Sequence, residues 1–244
     1  MRLKPLDFFY YSYCPLFYDL KDKHQNINQK QTLLEQKLSE SIIETEKRCL
    51  LKDSIVSPRK IFRMIDNLWW PAATENNIPA KEIEEKAIKA SKLAADYCKY
   101  DFAEYENIAT DIDISVNIGD SVLVNNYNII KKDYDGNVII LDLVRKNINQ
   151  FNIFGDIGVA ASCYIIAKNA NQTTGYINIL IDETKQNIET SIYWLKKSQL
   201  AETEKMLRFF EYGLRGNVRF PNKWNCKECK ACKSLFSLTN EDIR

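Results

Sequence analysis

Glycine and proline are scarce in this chain, seven and six of 244 residues, which excludes a mainly low-complexity or disordered polypeptide. A charge bias is missing too: 34 Lys and Arg stand against 33 Asp and Glu. Overall charge therefore gives no support for a polyanionic partner, and any basic footprint has to be local. No apolar run approaches the roughly 20 residues of a membrane helix, so no membrane partner is expected. The first residues, Met1 to Asp7, hold no apolar run followed by a small-residue cleavage site. The chain is expected to be soluble, intracellular and cytoplasmic. Histidine is down to one residue, His24. What is present suffices for a buried core: 45% of residues are hydrophobic and 11% aromatic.

The pattern of apolar residues predicts a mainly helical portion over 1–105. Leu33, Leu34, Leu38, Ile42 and Ile43 recur at helical spacing. Ser57-Pro58 reads as an N-cap followed by proline at the first helical position, with Pro71 ending that helix. Pro79 opens the next, which reaches Cys98. A sheet core is predicted over 106–183. Ile112 to Val116 alternates as a half-exposed strand, and Val122–Val124 with Ile129–Ile130 makes a second, bulged one. Asp135-Gly136 signals a hairpin turn, and Val138 to Val144 follows as a central strand. A helix over 158–167 then leads to a strand at Tyr176–Asp182, the crossover that brings in a parallel neighbour. Residues 184–213 are expected to form one long helix, through Ile188, Ile192, Leu195, Leu200, Met206, Phe209 and Phe210. The whole, 1–244, reads as a single α/β domain whose last part, 184–244, carries the long helix and a cysteine cluster.

That cluster is Cys226-Lys-Glu-Cys229-Lys-Ala-Cys232. Three thiolates on one tight loop repel one another unless a cation neutralises them, so the spacing points to metal. Zinc sites use two separated Cys-x2-Cys knuckles, and no second knuckle exists here. Consecutive Cys-x2-Cys steps are the form that iron–sulfur clusters use, with a fourth thiolate from elsewhere. An iron–sulfur cluster of the 4Fe-4S type is the expected cofactor, with zinc as the alternative. The fourth ligand comes from Cys14, Cys49, Cys98 or Cys163. Cys98 and Cys163 lie within helical patterns and read as small buried hydrophobes. Cys49 is ambiguous, whereas Cys14 sits in the aromatic segment Ser12-Tyr-Cys14-Pro15-Leu-Phe17-Tyr18.

Ser-x-Cys-Pro-x-x-Phe/Tyr near the start, met here by Ser12, Cys14, Pro15 and Tyr18, and the cysteine cluster near the end frame helices and then a meander with an acidic strand. In this the chain resembles the RecB-like iron–sulfur nucleases of the PD-(D/E)xK superfamily. That group includes CRISPR-associated RecB-family exonucleases and the nuclease domain of AddB. The resemblance implies a restriction-endonuclease-like α/β core, a mixed central sheet flanked by helices. It also implies a cluster held by Cys14, Cys226, Cys229 and Cys232. The family's activity needs carboxylates that hold Mg or Mn ions, and a lysine two residues after the second carboxylate.

Several of those groups are replaced when the family pattern is laid on this sequence. With Asp135-Gly136 as anchor, the family glycine falls at Asn125 and its first aspartate at Asn128. The second carboxylate is Asp142, and the partner lysine falls at Val144. The helical histidine falls within 31–34, where there is none. The Gln-x3-Tyr pair on the following helix falls at Ala160 and Tyr164. Asp111 or Asp113 supplies an earlier acid, and Lys146 lies on the face of Asp142 if the strand runs that far.

Three functions are therefore expected in turn. The first is a catalytically inactive, nuclease-fold protein that binds single-stranded DNA or DNA ends, as a subunit of a DNA-repair or CRISPR-type complex. Its basic surface runs from Lys196 to Lys233, with ten Lys and Arg against four Glu, and includes Lys205, Arg208, Arg215, Arg219 and Lys223. Tyr212, Phe220 and Trp224 interleave with them as stacking platforms. The second is an active, metal-dependent exonuclease using Asp142, Lys146 and Asp111 or Asp113. The third is a metal-stabilised adaptor for a protein partner, with Trp69-Trp70-Pro71 as its contact.

Overall fold

The computed structural model describes residues 1–13, 18, 32–144 and 157–217. Strand β1 (Arg2–Leu3) and helix α1 (Pro5–Tyr13) come first, and then the helices α2 (Leu33–Leu51), α3 (Pro58–Glu75) and α4 (Ala80–Tyr97). The meander follows as β2 (Glu106–Ile118), β3 (Ser121–Lys132) and β4 (Val138–Val144). Helix α5 (Ile157–Ala170), strands β5 (Thr174–Asp182) and β6 (Asn187–Leu195), and helix α6 (Leu200–Arg215) complete the described chain.

One mixed sheet of six strands organises these elements. Its order is β1-β3-β4-β5-β6, with β2 paired to β3. The pairs β2–β3, β3–β4 and β5–β6 are antiparallel, whereas β1–β3 and β4–β5 are parallel. The β4–β5 pair is the crossover through α5 that the sequence predicts. The reason lies in β4, whose apolar residues point both ways. Ile139 and Leu141 join a core formed with α2, α3 and α4; Val138 and Ile140 join a second core with α1, α5 and α6. A strand buried on both faces needs helices on both, so the architecture has three layers, helices–sheet–helices.

Local signals fix several ends. Thr32 caps α2 in a reciprocal box: its Oγ1 accepts the Glu35 N–H at 3.2 Å, and Glu35 Oε2 accepts the Thr32 N–H at 2.9 Å. The Thr32 hydroxyl also donates to Glu183 Oε2 at 2.6 Å, tying α2 to the end of β5. At the β3–β4 hairpin, Asp133 Oδ1 accepts the N–H groups of Asp135 and Asn137, and Gly136 takes φ +85°.

Two sequence expectations fail. Residues 184–213 are not one helix: β6 occupies 187–195, and α6 begins only at Leu200. Ile188, Ile192 and Leu195 fit helical spacing, but Thr190, Ile192, Tyr193 and Trp194 are also strong strand formers. Ile188 packs in the first core and Leu195 in the second, on opposite faces of the sheet. Pro71 does not end α3, which continues to Glu75. Pro71 and Asn67 are both exposed, so the carbonyl freed four residues back is open to water.

Candidate functional site

The carry-over positions converge on the end of the β3–β4 pair, and there the sheet has a defect. The antiparallel register runs to Ile129–Leu141. One step further, Asn128 stands opposite Asp142. On the other side of β3, Thr110 pairs with Ile129 and Ile112 with Tyr127, which leaves Asp111 beside Asn128. Asp111 has φ +50°, a left-handed conformation inside a strand. Residues two apart normally share a face. Here Tyr127 packs in the second core and Ile129 in the first, so β3 changes face at Asn128.

This separates the two family positions. Asn128 and Asp111 line a hollow of about 490 Å3 between the sheet, α2 and α3, with Glu40, Glu44, Arg48 and Asn67. Asp142 is half-buried and accepts a short hydrogen bond from the Tyr176 hydroxyl, whose ring packs against the second core. Burial raises the pKa of Asp142, and the Tyr176 bond opposes that rise. Asp113 is exposed beside Met1 and Arg2 and accepts from Asn126 Nδ2 at 3.1 Å. Val144 ends β4 next to Leu180. Ala160 is buried in α5, and Lys146 lies outside the described residues.

The carboxylates around the Asn128 hollow are already engaged. Lys37 and Gln36 bind Glu40 at 2.7 and 2.9 Å, Arg48 binds Glu44 at 2.9 Å, and Lys47 binds Asp111 at 2.5 Å. Among the described residues no three Asp, Glu, His or Cys side chains group so as to hold a metal ion. A hard dication would have to draw Asp142 and Asn128 together across the sheet, and the present geometry does not fit one.

Cys14, Cys226, Cys229 and Cys232 lie outside the described residues, as do Arg219, Lys223, Phe220, Trp224 and His24. The remaining cysteines are free thiols. Cys163 is fully buried, and burial pushes its thiol pKa far up. Cys98 is half-buried, with its pKa pushed up to about 11, first by desolvation and then by Glu46. Both match the small-hydrophobe reading. Cys49 is buried, 3.6 Å from the Lys60 ammonium.

On α6 the predicted DNA-contacting cations divide. Arg208 binds Glu204 at 2.8 Å, and Arg215 binds Asp120 and, at 3.5 Å, Glu211. Lys205 has no ion-pair partner among the described residues, and it is exposed on the helix face that carries Phe209 and Tyr212, four and seven residues on and themselves 74% and 66% exposed.

Glu204 is a hub that the sequence reading missed. The Tyr164 hydroxyl donates to it at 2.7 Å and Lys168 at 3.0 Å, beside Arg208. Tyr164, then Arg208 and Lys168, hold its pKa down at about 2, below the ordinary 4.5. The folded-state value is depressed, so the stability it contributes is present above about pH 4.5. It is lost as the pH falls from there towards 2. Wild type is expected to lose about 1–2 kcal/mol more than Glu204→Gln over that window, in urea titrations at successive pH values. Equal losses would show that the hub contributes nothing.

A six-stranded mixed sheet between two helical layers, built on a β-meander and a crossover helix, is a nuclease-like α/β architecture. The chain superposes on the solved structure of a protein from Eubacterium rectale that carries a provisional exonuclease assignment. The TM-score is 0.53 at 11% identity, over 96% of this chain and 87% of that one. Such a likeness is one of fold. The solved structure of SSO0001 aligns with a TM-score of 0.32 at 14% identity, over 94% of this chain and 82% of its own, and carries no argument. No family model and no curated protein matches the sequence.

Proposed function

We propose that this chain is a DNA-processing protein that uses a nuclease-like fold to bind DNA without cleaving it. One observation carries the reading. Asp142 is tied to Tyr176 towards one helical layer, and Asn128 lines a hollow towards the other. Val144, at the family's lysine position, brings no charge. The cluster ligands would be Cys14, Cys226, Cys229 and Cys232, and their iron–sulfur group would serve structure rather than redox chemistry. For the adaptor reading, the contact would be left to Trp70 and Pro71, because Trp69 is wholly buried.

The test is a paired assay on full-length protein purified without oxygen. Single- and double-stranded DNA are offered with Mg or Mn, beside Asp142→Ala. The expected result is salt-dependent binding of DNA, no cleavage, and a brown protein that contains iron. Cleavage that disappears in Asp142→Ala would overturn the reading in favour of an exonuclease. A colourless protein containing zinc would overturn the cluster assignment.

A further inference from the structure

Helix α3 has an inner and an outer face. Its inner residues Ile61, Met64, Ile65, Trp69, Ala72 and Ala73 are buried. Opposite them, Arg59, Phe62, Arg63, Asp66 and Trp70 recur three and four residues apart, which aligns them on one ridge. Phe62 and Trp70 are 37% and 39% exposed. Arg59 and Arg63 are exposed, and neither has an ion-pair or hydrogen-bond partner among the described residues. Asp66, half-buried, is the one acid on the ridge.

Arg59 stands where a helix does not favour it. It lies in the first turn of α3, at the positive end of the macrodipole, where a cation is unfavourable, and Arg63 follows one turn later on the same ridge. No acid stands in the first turn, and the Ser57 side chain makes no capping bond. An anion at this end would pair with both guanidinium groups. The aromatic rings add a second requirement, a flat partner. At a rise of about 1.5 Å per residue, Phe62 and Trp70 are roughly 12 Å apart, the span of three or four stacked bases. A phosphate chain with accessible bases satisfies both demands. A duplex hides its bases, and a peptide anion offers no stack of rings.

We infer that the outer face of α3 is a binding ridge for single-stranded nucleic acid, in which Arg59 and Arg63 neutralise phosphates and Phe62 and Trp70 stack bases. This rests on the DNA-binding reading above but assigns a surface distinct from α6.

The test uses full-length protein and a labelled oligo-dT of about 15 nucleotides, followed by fluorescence anisotropy across a salt series. R59Q/R63Q is expected to bind about tenfold more weakly, with a log–log salt slope shallower by roughly 1.4, at about 0.7 per phosphate contact. Its melting temperature should stay the same or rise, since the dipole-opposed charge of Arg59 is gone. Trp70→Ala should weaken binding about fivefold or more, and Trp70→Phe should stay within about twofold of wild type. Variants that bind as wild type, with an unchanged slope, would overturn the ridge while leaving DNA binding in place. Loss of a protein partner by these variants, with oligonucleotide binding intact, would overturn it too. Wild type that binds no DNA would remove the functional reading and the ridge together.

Discussion

Glu46→Ala is expected to destabilise the fold by about 3–5 kcal/mol, a large share of the roughly 5–15 kcal/mol that holds a domain together. Glu46 on α2 and Lys131 on β3 are both wholly buried, with Oε2 and Nζ 2.9 Å apart. The carboxylate also accepts from the Tyr97 hydroxyl and from Asn107 Nδ2, each at 2.7 Å. Lys131 further donates to the Ala103 carbonyl at 3.3 Å. Removing the carboxylate leaves an ammonium in the core with one neutral acceptor, orphans the Tyr97 phenol, and leaves the Asn107 amide only its 3.4 Å bond to the backbone carbonyl of residue 46. The same carboxylate, after burial, helps to keep the Tyr97 phenol protonated far above its ordinary range. Converting both charges, as Glu46→Leu/Lys131→Met, should recover most of the loss, because no unpaired ion remains. Urea unfolding followed by circular dichroism measures both variants. A loss under about 1 kcal/mol in Glu46→Ala would mean that water reaches the Lys131 ammonium and solvates it.

The network also marks where sequence reading stops. Glu46 lies between Ile42 and Cys49 on the apolar stripe of α2, and Lys131 follows Ile129 and Ile130. Each breaks a hydrophobic pattern, and that break was the available signal. Nothing in either segment says that the two meet, because the pairing spans two elements that only the sheet brings together. Local chemistry was more legible. Asp135-Gly136 gave the hairpin, the apolar run of β4 gave a strand buried on both faces, and the α5 crossover gave the parallel pair. Strand β6 failed because Ile188, Ile192 and Leu195 satisfy helical spacing, while Ile188 and Leu195 pack in two different cores and Ile192 is exposed. The carried-over positions were found by counting from the hairpin, but a count assumes a regular period of two. The left-handed Asp111 opposite Asn128 breaks that period, so which layer Asn128 faces was not readable from spacing. The charge count on α6 could not separate Lys205, which has no ion-pair partner among the described residues, from Arg208, which binds Glu204 one turn earlier on the same helix, and Arg215, which binds Asp120 brought close by the fold.

The other large effect sits at two adjacent residues that the sequence cannot tell apart. Trp69→Ala should cost about 3–5 kcal/mol, as a large aromatic removed from a core does, whereas Trp70→Ala should cost less than about 0.5 kcal/mol. Trp69 is fully buried in the core between the sheet and α2–α4. Its Nε1 donates to the Ile83 carbonyl in the first turn of α4 at 3.2 Å, so truncation opens a cavity and removes a link between α3 and α4. Trp70, one step of about 100° round the helix, points away from that core. Thermal and urea unfolding of the two variants should therefore separate widely, and oligonucleotide affinity should separate in the opposite order among molecules that remain folded. If Trp70→Ala destabilises as much as Trp69→Ala, Trp70 is a packing residue and its ring is not available to a base. If Trp69→Ala is tolerated, the helical layer over the sheet repacks more freely than a closed core allows. Pro71, two residues on, would then be the feature to change next, since a proline in the fourth turn of α3 gives the helix a built-in place to bend.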